Sequence, residues 1–228
     1  MKCYTTASDV YTRNISPWSH FEISNFFTHE MLEVVYDMMK SAQYKSAHEP
    51  SVHHSWTKNV NRYEYMLSRE LYNSDDQVRD MVDQFKHSDN IEYLEYLTKK
   101  TLRGDHMLRM SIWKDNPGYK LSVHPDSTYK ILTAQVYLPI DETAEAHLGT
   151  SLYDQKKQPA KKFAFKKNTG YMFVPNRDDG QVTYHGLEET VDITRHSFMI
   201  NIFDRLKFEQ KMKTKNSTLP EDNVWHAL

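Results

Sequence analysis

The chain has 228 residues, of which 39 % are hydrophobic, 13 % aromatic and 26 % charged, with a formal net charge of −2. That is enough apolar material for one domain spanning 1–228, and the near-neutral balance excludes a broad basic field, so bulk charge indicates no nucleic-acid partner. The lone cysteine, Cys3, excludes an intramolecular disulfide and a thiolate metal cluster, and agrees with a reducing cytoplasm. Met1–Thr6 opens without an apolar export segment, and no stretch approaches the roughly eighteen apolar residues of a membrane span.

The run His20-Phe21-Glu22-Ile23, following Pro17-Trp18-Ser19, alternates and predicts a strand ending at Asn25-Phe26-Phe27. Thr28 can cap a helix, with Glu30 in its first turn and Met31, Leu32, Val35, Met38 and Met39 spaced by three and four. Such a methionine-rich stripe reads as core packing. A second helix is predicted within Ser74–Lys86, on Val78, Met81, Val82 and Phe85, and a third around Ile91–Thr98. Helices are therefore expected to dominate residues 1–106.

From Met107 the period changes to two. Leu108–Trp113, Tyr119–His124, Lys130–Leu138, Ser151–Tyr153, Lys162–Phe165, Tyr171–Val174, Val182–His185 and His196–Phe203 read as short strands separated by turn residues. So many strands in about a hundred residues predict an α+β fold, in which a double-sheet jelly roll (a double-stranded β-helix) or a barrel spans about 107–205 and carries the N-terminal helices on one sheet. In Lys130–Leu138 one face reads Ile131, Thr133, Gln135, Tyr137 and can line a pocket, while Leu132, Ala134, Val136 and Leu138 can pack under helices. The lysine pairs at 156–157, 161–162 and 166–167 read as a solvated loop and strand edge, and the tail 211–228 as polar.

The chemistry concentrates at His124-Pro125-Asp126. Residues two apart in a strand share a face, with Cα atoms roughly 6.5–7 Å apart, so His124 and Asp126 can reach one ion. Pro125, lacking an N–H, places them at a strand end or edge, where a mouth can open. His185 can supply a third ligand from a strand that a hairpin joins to Arg195. Two imidazoles and one carboxylate with open positions are the ligand set of non-haem Fe(II) sites, for which Mn, Co or Ni compete. Arg195 and Ser197 share a face that continues through Met199, Asn201 and Phe203; guanidinium and hydroxyl together suit one end of a dicarboxylate whose other end lies on the metal. Asp192 or Glu189 are alternative partners that would make Arg195 structural. His53, His54, His106, His147 and His196 are read as surface or supporting residues, with His196 facing away from Arg195.

His-x-Asp, a distant His, and Arg-x-Ser about ten residues later resemble the iron and 2-oxoglutarate dependent oxygenase superfamily over Leu108–Asp204. Pro17–Lys40 is similar to the strand and helix that open its prolyl-hydroxylase-like branch. Tyr137-Leu138-Pro139 resembles the family's Tyr-Leu-Asn strand, which implies that Tyr137 reaches the 2-oxoglutarate C5 carboxylate. Trp113 stands where many members place a tyrosine near the co-substrate, and Gly149-Thr150-Ser151-Leu152-Tyr153 is similar to the Gly-x-Thr-x-Phe strand, with Leu148-Gly149 replacing a doubled glycine. The resemblance implies Fe(II), 2-oxoglutarate and O2, with ascorbate as an accessory reductant. It further implies hydroxylation of a C–H bond in a peptidyl or amino-acid side chain or a small molecule, with 2-oxoglutarate decarboxylated to succinate. Asp126 argues against halogenation, which needs that carboxylate replaced by Gly or Ala. Two rival readings are a cupin-like metal dioxygenase without 2-oxoglutarate and a catalytically silent jelly-roll binding protein. The segments 156–167 and His53–Tyr65 are candidates for a pocket rim; substrate-contacting residues and oligomeric state are left open.

Overall fold

The period-two segments pair into two antiparallel sheets. The computed structural model describes residues 2–5, 9–46, 61–141, 146–175, 179–187, 189–214 and 226–228; His53 and His54, with most of the His53–Tyr65 segment, lie outside them. The strands are β1 (Tyr11–Asn14), β2 (His20–Ser24), β3 (Lys45–Ser46), β4 (Arg62–Met66), β5 (His106–Asp115), β6 (Leu121–His124), β7 (Lys130–Tyr137), β8 (Ser151–Tyr153), β9 (Pro159–Lys162), β10 (Thr169–Phe173), β11 (His185–Leu187), β12 (Arg195–Asp204) and β13 (His226–Ala227). The helices are α1 (His29–Ser41), α2 (Arg69–Ser74), α3 (Asp76–Lys86), α4 (Ser88–Thr98) and α5 (Arg205–Thr214). The larger sheet runs β1-β2-β10-β7-β12-β5-β4-β3, with β13 also on β5, and the smaller runs β6-β11-β8-β9.

Helix α1 starts where Thr28 Oγ1 accepts the Met31 N–H, and the stripe Met31, Leu32, Val35, Met38, Met39 is its buried face. Asp75 caps α3 by accepting from Gln77 and Val78, which turns Val78, Met81, Val82 and Phe85 inward. These side chains join Leu132, Ala134 and Val136 of β7 and Phe198, Ile200 and Ile202 of β12 in one core, so the helices cover one face of the larger sheet. Each fully buried Leu, Ile or Phe contributes about 1.5–3 kcal/mol there. Against the opposite face, Tyr137, Tyr171 and Phe173 meet Leu152 and Leu187 of the smaller sheet. The candidate site lies on this second face.

Several elements differ from the reading of the sequence. Among the described residues of 1–106, strands accompany the helices: β1, β3 and β4 extend the larger sheet, and α2 is an additional short helix. In β4 the buried side chains are Arg62 and Glu64, so its alternation runs opposite to the usual apolar-inward pattern. The strands expected at Lys162–Phe165 and Val182–His185 lie instead at Pro159–Lys162 and His185–Leu187; Phe163 and Phe165 alternate in burial with the exposed Ala164, as in a strand, but stand beyond the end of β9. No hairpin joins His185 to Arg195, since β11 pairs with β6 and β8 in the smaller sheet while β12 lies in the larger. Residues 211–214 of the tail complete α5, in which Phe208 and Met212 are buried, and His226–Ala227 form β13, where the buried His226 ring bonds the Leu67 carbonyl. The lysine-bearing β9 is an edge strand, protected by Pro159 and charge. Among the described residues no helix is long and apolar enough to cross a membrane.

Candidate metal centre

The β6–β11 register sets His124 directly opposite His185, with ring centroids 4.5 Å apart. Asp126 follows two residues later, just past the end of β6, and one ligand atom from each of the three lies within 4.8 Å of the others. His124 Nδ1 stands 2.7 Å from the Ser122 carbonyl and His185 Nδ1 3.0 Å from the Thr183 carbonyl. A carbonyl only accepts, so each Nδ1 carries the proton and each Nε2 keeps its lone pair for a metal. Burial brings His124 down to about 4, with His185 acting in the same direction, and burial also lowers His185. Both rings are therefore neutral near pH 7. Burial alone would raise the Asp126 carboxyl, but Lys130 and His185 outweigh it and hold the group below the usual carboxylate range. Lys130 Nζ donates to Asp126 Oδ1 at 2.7 Å, and Thr133 Oγ1 donates to Oδ2 at 2.6 Å, so the carboxylate is oriented from β7.

Away from these ligands the larger sheet presents successive rows of polar side chains. Cross-strand register aligns Gln135 with Met199 and Ser111, then Tyr137 with Ser197 and Trp113, and finally Arg195 with Asp115 and Arg62. Gln135 Nε2 donates to Ser197 Oγ at 2.8 Å, while its Oε1 accepts from Tyr171 at 2.8 Å and from Thr150 at 3.2 Å. Tyr137 Oη accepts the Thr150 N–H at 2.9 Å, and Trp113 Nε1 donates to Ser111 Oγ at 2.7 Å. Arg195 is buried, donating to the Leu148 carbonyl at 2.8 Å, to Asp115 Oδ2 at 2.7 Å and to Thr150 Oγ1 at 3.3 Å. Asp115 also receives Arg62 through both oxygens, at 2.6 and 3.0 Å. Burial would raise the Asp115 carboxyl, but Arg62 and Arg195 bring it below its ordinary value.

The same arrangement of sheets is found in solved structures. A 2OG-Fe(II) oxygenase family oxidoreductase from Burkholderia pseudomallei superposes with a TM-score of 0.57 at 11 % identity, covering 81 % of this chain and 84 % of that one. A prolyl-4-hydroxylase from Pseudomonas putida gives 0.54 at 12 %, with 82 % and 92 % covered. HygX from Streptomyces hygroscopicus, with nickel and 2-oxoglutarate bound, gives 0.54 at 8 %, with 81 % and 82 % covered. The fold is that of the 2OG-Fe(II) oxygenases. In sequence, no protein-family model and no curated protein matches the chain.

Within this oxygenase fold, His124, Asp126 and His185 come together at one point, and Arg195, Ser197, Tyr137 and Trp113 share one face of the larger sheet. Arg195 pairs with neither of its expected alternatives, for Asp192 takes His147 at 3.0 Å and Glu189 takes Lys162 at 3.2 Å. His196 faces the other way, toward the ring of Tyr44. The sequence reading missed Lys130, Thr150, Asp115 and Arg62 as participants. Asp115 carried a usable signal, since it stands two residues after Trp113 and so shares its face. Arg62 carried none, because only the β4–β5 register brings it there.

Proposed function

We propose that the protein is a non-haem Fe(II) and 2-oxoglutarate dependent dioxygenase built on a double-stranded β-helix. It hydroxylates a C–H bond of a peptidyl or amino-acid side chain or of a small molecule. The observation that carries this reading is the convergence of His124, Asp126 and His185 with both Nε2 atoms available as donors. The donor set fits: two neutral imidazoles and one ionised carboxylate, without thiolate, suit Fe(II) and leave positions open. When bound, Fe(II) with 2-oxoglutarate and O2 supplies the oxidising chemistry, in which 2-oxoglutarate is decarboxylated to succinate.

The chain's own residues do the rest. Ser122 and Thr183 fix the imidazole tautomers, and Thr133 and Lys130 orient Asp126. Arg195 offers a guanidinium at the far end of the face, with Ser197 and Tyr137 in the adjacent row, as the seat of the co-substrate's distal carboxylate. The buried rings of Tyr171 and Phe173 pack against Leu152 and Leu187 of the smaller sheet and shield this face from water.

The test is an anaerobic titration of the Fe(II)-loaded protein with 2-oxoglutarate, followed by the weak visible metal-to-ligand charge-transfer band. The wild type shows the band, Asp126→Ala loses it, and Arg195→Ala needs far more 2-oxoglutarate. Absence of the band in metal-loaded wild type refutes the reading and leaves a cupin-like dioxygenase or a binding protein in its place.

A further inference from the structure

We infer that the distal carboxylate of the co-substrate is received by a two-arginine cluster, Arg62 and Arg195 about Asp115, and that the Tyr119 hydroxyl donates to it. This rests on the oxygenase reading above.

The first argument is charge. Arg195 and Asp115 alone form a neutral pair, which offers an anion little net attraction. Arg62 joins the same carboxylate from the other side, so the three side chains together carry one net positive charge in a buried position. A bound monoanion brings the cluster to two cations and two anions, which is the arrangement buried charge favours. Arg62 is also held rigidly: its guanidinium lies 4.0 Å from the Trp113 ring centroid and 4.1 Å from that of Tyr119. Stacking between two rings while forked onto Asp115 leaves it little freedom to lose on binding.

The second argument is the tyrosine. Tyr119 is fully buried, yet its hydroxyl has no hydrogen-bond partner among the described residues. A buried hydroxyl without a partner is uncommon and calls for a ligand or another explanation. The backbone fixes it in place: the Tyr119 N–H bonds the Asn116 carbonyl and its carbonyl accepts the Val191 N–H, both at 2.9–3.0 Å. Burial keeps the phenol protonated, with Arg62, Asp115 and Arg195 all close enough to act on it. The hydroxyl is thus a donor standing against a cluster that lacks one anion. Asp115 acts as a positioning residue: it holds Arg195 and Arg62 in place without touching the co-substrate.

The experiment titrates the full-length, Fe(II)-loaded protein under anaerobic conditions with 2-oxoglutarate and with its 5-methyl ester, whose distal end is neutral, reading the same visible band. Wild type favours the acid. Tyr119→Phe raises the half-saturation for 2-oxoglutarate about tenfold, the effect of one hydrogen bond to a charged group. It leaves Fe(II) affinity and the Tm of the ligand-free protein undiminished, because no hydrogen bond is lost in that state. Arg62→Gln narrows the preference for acid over ester, and Arg62→Lys, lacking the fork, does not restore it. If Arg62→Gln fails to fold, Tyr119→Phe decides alone. Wild-type affinity and selectivity in both variants would overturn the inference while leaving the oxygenase reading intact; no band in wild type would overturn the oxygenase reading and, with it, this one.

Discussion

Asp115→Asn keeps the shape of the side chain and removes one charge from the centre of the arginine cluster. Arg62 and Arg195 both reach Asp115 Oδ2, at 3.0 and 2.7 Å, and all three side chains are buried. Two guanidinium groups sharing one carboxylate oxygen, with charge centres taken as about 6 Å apart, repel by about 3 kcal/mol at an effective dielectric constant of about 20. That agrees with the roughly 3–5 kcal/mol by which breaking a buried ion pair destabilises a fold. For a chain of this size, about 4 kcal/mol lowers Tm by roughly 8–16 °C. Arg62→Met costs less, since it leaves the Arg195–Asp115 pair, and the double variant is about 2 kcal/mol more stable than the two single effects predict. Urea unfolding, with the slope checked for constancy, measures each corner of this cycle. The dependence on pH has a fixed sign. The folded carboxyl of Asp115 is held below its unfolded value of about 3.9, so its stabilisation is complete above that value and is lost as pH falls below it. The gap between wild type and Asp115→Asn therefore stays constant down to about pH 5 and closes in more acid solution. A cost below about 1 kcal/mol, or additivity within about 0.5 kcal/mol, would refute the coupling.

Two further outcomes follow from the packing. A Cβ on Gly149 would stand 1.5 Å from the Phe163 carbonyl oxygen, on backbone that cannot yield, and Gly149 adjoins the Leu148 carbonyl that accepts from Arg195. Gly149→Ala is therefore expected to collapse soluble yield or to destabilise by several kcal/mol, more than ordinary overpacking, read by thermal melting. Burial, with Lys114 nearby, brings His196 down to about 4, whereas the unfolded imidazole titrates at about 6.5. Its neutral ring contributes fully above pH 6.5, and stability declines as pH falls from there toward 4. His196→Leu should flatten that decline in urea midpoints measured across the window, and an unchanged slope would show that other groups govern it.

The parts of the fold that could be read from the sequence are those where one local signal suffices. Helices α1 and α3 have a cap and an apolar stripe within one stretch, and the five and four residues assigned to their inner faces are the buried ones. The Ser151–Tyr153 strand likewise has its predicted bounds. Strand β4 was invisible because Arg62 and Glu64 are its inward side chains; only the partners Asp115 and Arg109, far along the chain, make that burial tolerable. The expected hairpin between His185 and Arg195 failed for a related reason. About ten residues serve equally for a turn within one sheet and for a crossing between two, and local pattern does not distinguish them.

The same contrast runs through the site. His124 and Asp126 are two residues apart on a strand, so their convergence is a local property, and His185 needed only one cross-strand match to join them. The opposite end is assembled from residues 62, 115, 119 and 195, none unusual where it stands. The β4–β5–β12 register places three of them in one row, and the loop following β5 adds the fourth. Arg195 was legible as a cation, but its charge balance was not, because that depends on which neighbours the register brings beside it. A buried arginine facing one aspartate is a closed ion pair; the same arginine in a cluster with a second arginine and a phenol that has no partner among the described residues is open to one more anion. On the proposed reading, the difference between a structural arginine and a binding one therefore lies in Arg62 and Tyr119, not in Arg195 itself.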